Sequence, residues 1–203
     1  MTGSPQERAD WHRRNASPEE RLAIAAHELG HYVIAKRAGV QPEGITIGHH
    51  PTDSRSASVR FGSESIDTGL THSVEQWRQR GKLITDPTES HNFSMSYLES
   101  LYAGEAAEEV ITGNANNNGQ IDAQDARRVM MGHGLPDFVI YRMEAELKAR
   151  AREELSEPET KRKLLYVAQQ LAEHHFDGQK HPASTIDHYL NGGTRQSLPS
   201  EEQ

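Results

Sequence analysis

The run His27-Glu28-Leu29-Gly30-His31 sets two imidazoles and a carboxylate within one short stretch. On a helix of 3.6 residues per turn, His27 and His31 project from one face, one turn apart, so both can reach a single ion. Glu28 is rotated by about 100° from His27. It can therefore approach a water molecule beside that ion without ligating it. The chemistry open to such a set is metal-assisted hydrolysis with Glu28 as general base. The bland alternative is a pair of surface histidines. The chain has 12 His, yet residue frequencies alone give only roughly 0.07 matches to the pattern. A catalytic zinc usually takes three protein ligands and keeps one position open. The chain has no Cys, so the third ligand is a His, Asp or Glu from elsewhere.

The pattern needs a helix, and the flanking residues supply one. Ser17-Pro18-Glu19-Glu20 reads as an N-cap serine, a proline at the first helical position and a glutamate closing a capping box. Leu22, Ala25, Ala26, Leu29, Val33 and Ile34 form an apolar stripe, and Gly39 is a stop. Gly30 inside this helix costs about 1 kcal/mol, which a closely approaching backbone or substrate would explain. Two short strands are expected at 44–48 and 56–62, joined by a polar turn. Residues 63–92 carry one weak helical stretch, "SVEQWRQRGKLI". Further helices are expected at about 96–112, from near Asp122 to "GHGLP", at 137–155 and 158–175, and over "STIDHYL". The expected fold is mainly α (α+β): a helical domain with a small two- to three-stranded sheet beside the His-Glu helix. Residues 1–16 read as a flexible arm, 17–190 as the domain and 191–203 as a disordered tail.

The formal net charge is −8, which argues against a nucleic-acid surface built from clustered Lys and Arg. No apolar run approaches the ~20 residues of a membrane span, and the polar N-terminus does not read as a signal peptide. The expectation is a cytoplasmic protein without membrane contact. Nothing in the sequence sets the oligomeric state.

Leu101–Met130 adds a resemblance. Gly104-Glu105-Ala106-Ala107-Glu108-Glu109 is followed by Gly113 and Gly119, then by Asp122 with Ala126. Together with the His-Glu-x-Gly-His helix, these pieces resemble the peptidase domain of the FtsH family of ATP-dependent zinc peptidases, in its order and at similar spacing. The resemblance implies that Asp122 is the third zinc ligand, that Glu28 is the base and that Glu108 supports the metal from behind. It also implies that Ala57, Ser58, Val59 and Arg60 form a strand flanking the substrate, a flexible polypeptide. Glu105 stands where the family has Arg, and Ile121 where it has Asn. The chain has no Gly-x-x-x-x-Gly-Lys-Ser/Thr stretch, so any ATPase or regulatory partner would be a separate one.

Two rival readings compete for the same residues. An Asp that opens a helix is commonly only an N-cap. Asn114–Asp125 also resembles an EF-hand calcium loop, although Asn at position 1 and Asp at position 12 leave few carboxylates. A third reading keeps the peptidase fold and a structural zinc but assigns a regulatory or scaffold role without turnover. His49, His50, His72, His91 and His133 read as loop residues. His174 and His175 read as cations closing a helix.

Overall fold

The computed structural model describes residues 16–39, 41–48, 57–61, 89–115, 119–132 and 134–198, with the backbone alone at 57–61, 89–97 and 121. Helix α1 (Pro18–Arg37) is followed by strands β1 (Pro42–Ile47) and β2 (Ala57–Phe61) and by α2 (Glu89–Thr112). Then come α3 (Gln120–Gly132), α4 (Asp137–Ser156), α5 (Pro158–His174), β3 (Lys180–Pro182) and α6 (Ala183–Leu190). The described structure is mostly helical with one small antiparallel sheet, in the order β2-β1-β3.

Helix α1 begins as its sequence dictates. The Ser17 side chain accepts from the Glu20 amide at 3.1 Å, and the Glu20 carboxylate accepts from the Ser17 amide at 2.8 Å. Burial differs from the expected stripe. Every residue from Ala25 to Ala35 is buried, so α1 runs through the middle of the fold with α2, α5 and the sheet around it. A helix covered on all sides needs apolar or small residues all round, and Ala25, Ala26, Leu29, Tyr32, Val33, Ile34 and Ala35 supply them. The histidines therefore lie inside the molecule, which removes the surface-pair alternative.

Gly30 has the close neighbour its helix cost implied. A Cβ there would collide with the Ala103 carbonyl oxygen and lie 2.6 Å from Ala107 Cβ. Small residues on both helices let α1 and α2 approach backbone to backbone. Strand β1, with Ile45 and Ile47 fully buried, pairs with β2 from Ile47↔Ala57 to Gly44↔Arg60. On its other side it pairs with β3, which the sequence reading did not contain. The Tyr32 hydroxyl donates to Asp187 Oδ1 at 2.9 Å, tying α1 to α6.

Helix α3 is held by a second apolar cluster. Ala126 and Met130 pack with Leu98 and Tyr102 of α2 and with Ile140 and Leu147 of α4. Arg127 adds two bonds to Glu144, at 2.7 and 3.0 Å. Residues 191–198, expected to belong to a disordered tail, have defined structure. Arg195–Ser197 makes a 3-10 turn, and Leu198 is buried in the main core. The weak helical stretch "SVEQWRQRGKLI" and histidines 49, 50, 72 and 133, expected in loops, lie outside the described residues, whereas His91, also expected in a loop, falls on the backbone of α2.

Candidate metal centre

His27 and His31 leave the buried middle of α1 on the side that faces α2 and α3. His27 Nε2 lies 3.0 Å and His31 Nε2 3.5 Å from Asp122 Oδ2. The two rings meet edge to face, with centroids 4.7 Å apart. One ligand atom from each of His27, His31 and Asp122 lies within 4.8 Å of the others. Among the described residues this is the one group of three or more His, Asp or Glu side chains that converges in this way.

Asp122 is not an N-cap. The Gly119 carbonyl accepts the first helical bond of α3, from the Ala123 amide. That puts Asp122 in the third helical position, where its side chain can turn inward across to α1. Asp122 faces the histidines, and Asp125 is bonded to Arg128 at 2.6 Å.

The far sides of both imidazoles are also held. His31 Nδ1 lies 2.6 Å from the Ser100 carbonyl oxygen. A carbonyl only accepts, so Nδ1 carries the proton and donates it. His27 Nδ1 faces Glu108 Oε2 at 3.6 Å, and the Glu108 side chain is fully buried. A ligating histidine usually gives its second N–H to a carboxylate or a carbonyl, which fixes its tautomer and aims the other nitrogen at the ion. Here Ser100 fills that role for His31, and the Glu108 carboxylate stands 3.6 Å from His27 Nδ1, beyond hydrogen-bond distance, with both Nε2 atoms aimed at Asp122. Glu108 thus lies behind His27, on the side away from Asp122. Ser100 was missed because it acts through its backbone, which leaves no trace in residue type.

The electrostatics favour a cation. Burial works against charge on His27. The hydrogen bond to Asp122, the nearby Glu108 carboxylate and the charges of Glu28 and Asp122 outweigh it and raise its pKa to about 10. Burial likewise works against charge on Asp122, but bonds to the two imidazoles hold its carboxyl well below the usual range. Three carboxylates thus act on one buried imidazole. Once an ion displaces the His27 proton, two imidazole nitrogens and a carboxylate oxygen make a donor set that fits a divalent metal ion such as zinc.

Glu28 is 7% exposed and next to His27 in sequence. Its charge acts on His27, as expected of a carboxylate beside the centre. Ala57, Ser58, Val59 and Arg60 lie on β2, an outer strand of the described sheet, which borders α1. No protein-family model matches the chain, and no curated protein is significantly similar to it.

Proposed function

We propose that the protein is a zinc-dependent metallopeptidase that hydrolyses peptide bonds in flexible polypeptides and needs no ATP for the cleavage itself. The observation that carries this reading is the convergence of His27 Nε2, His31 Nε2 and Asp122 Oδ2 in a buried site. The likeness of the same residues to the FtsH peptidases supports it from the sequence side. Bound by these three side chains, zinc would supply Lewis acidity, polarising a scissile carbonyl and acidifying water.

The remaining roles fall to the chain itself. Glu28 takes a proton from water and returns it to the leaving amine. Ser100 and Glu108 keep the imidazoles aimed. Strand β2 pairs with an extended substrate through main-chain hydrogen bonds, which choose shape over sequence. Folded substrates would need a separate ATPase to open them.

Glu28→Gln tests the assignment. Zinc content should be unchanged while cleavage of casein falls by a factor of about 100 to 10,000. Undiminished cleavage would remove Glu28 from the mechanism. The regulatory or scaffold reading is separated by the wild-type protein. Zinc bound in equal proportion, with no cleavage of casein that a chelator can abolish, would favour it.

A further inference from the structure

Gly104 lies on the buried part of α2, and it is not among the glycines with positive φ. Its backbone has no need of glycine. Alanine would stabilise the helix there by about 1 kcal/mol. The reason for glycine lies in what faces it. A Cβ at position 104 would stand 2.5 Å from His31 Nε2, 2.6 Å from His27 Nε2 and 2.7 Å from His27 Cε1. The atoms it would strike are the two nitrogens that converge on Asp122.

Gly30 makes the contrast. Its missing Cβ leaves room for the Ala103 carbonyl and Ala107 Cβ, which are parts of a rigid neighbouring helix. Gly30 serves the packing of α1 on α2. The atoms nearest to Gly104 are the far ends of two side chains, which can shift without moving a helix backbone. A methyl at position 104 would therefore be paid for in the aim of the imidazoles and not in the packing of the helices.

We infer that Gly104 is a positioning residue of the metal centre: its missing side chain keeps the space before both Nε2 atoms open for an ion and for the group that the ion activates. This rests on the metal-centre reading above. It adds a requirement for empty space on α2 that the ligand set alone does not express. An open position is the mark of a catalytic zinc, whereas structural sites are closed by protein on all sides.

Gly132 supplies the control. It too is helical without positive φ, and a Cβ there would meet nothing within 4 Å. The experiment compares the full-length wild type, Gly104→Ala and Gly132→Ala. Zinc binding is measured by calorimetry, cobalt(II) coordination by visible absorption, and folding by circular dichroism and thermal melting.

The expected result is a Gly104→Ala protein that melts within a few degrees of wild type. Its zinc affinity falls by about 100-fold or more, and its cobalt spectrum loses the tetrahedral bands. Gly132→Ala should bind both metals like wild type. Zinc affinity of Gly104→Ala within a few-fold of wild type would overturn the inference while leaving the ligands in place. A Gly104→Ala chain that fails to fold would also overturn it, since the residue would then serve packing as Gly30 does. Failure of the wild type to bind zinc would sink the metal-centre reading itself.

Discussion

Glu108 sits behind His27 with no exposed surface and one carboxylate oxygen 3.6 Å from Nδ1. Replacing it with Gln preserves the shape and removes the charge. The expected outcome is zinc affinity about 10- to 100-fold weaker, measured by calorimetry, with the zinc-free protein still folded. An unchanged affinity would mean that Glu108 is only filling space. At this scale the sequence was informative where chemistry and spacing are local. His27, Glu28 and His31 could be read as a set because one helical turn brings them together. Asp122 could not be told from an N-cap by residue type. Its contact with His27 spans 95 positions, and only likeness to a known arrangement pointed to it. Position 104 was legible as a glycine but not as a void, because a void is defined by what stands opposite.

The elements were readable where they announce their ends. Ser17-Pro18 opens α1, Pro158 opens α5, and Gly39 and Gly113 with positive φ follow α1 and α2. The start of α2 at Glu89 falls earlier than its apolar pattern implied. Strand β3 is three residues long, too short for alternation to register. It forms beside Gly44, where a Cβ would collide with the His181 carbonyl. The close crossing of α1 and α2 gives the prediction proper to this scale. Gly30→Ala drives a methyl into backbone and should destabilise the protein by about 1–3 kcal/mol, read as a lower urea midpoint at unchanged slope. A neutral or stabilising result would show that the two helices can separate freely.

For the molecule as a whole, acid sensitivity is expected from a group remote from His27, His31 and Asp122. His175 is 3% exposed; its Nε2 lies 2.8 Å from the Tyr189 hydroxyl and its ring rests edge to face on His181. Asp177, His174 and Arg195 complete the charged groups around it. Burial, then the His181 charge, lowers its pKa from 6.5 to about 4, so it is neutral at physiological pH. It is not the helix-ending cation expected from its position. Above pH 6.5 folded and unfolded chains both hold it neutral. As pH falls from 6.5 toward 4, the unfolded chain takes a proton that the fold refuses. Stability should drop across that window by on the order of 3 kcal/mol. Urea denaturation at a series of pH values checks this, and the slope should flatten in His175→Asn. An equal slope in both proteins would place the acid sensitivity elsewhere.

The distance along the chain between His27 and Asp122 also orders events in time. During synthesis at about 5–20 residues per second, His27 is added roughly 5–20 seconds before Asp122, 95 positions later. For that interval the chain carries two imidazoles and a carboxylate on a segment whose partner α3 is still unmade. Two nitrogens hold zinc far more loosely than the complete set, and Glu28 has no pre-aimed ion to serve. The cluster of His27, His31 and Asp122 that could hold a metal ion is therefore completed late, by the docking of α3.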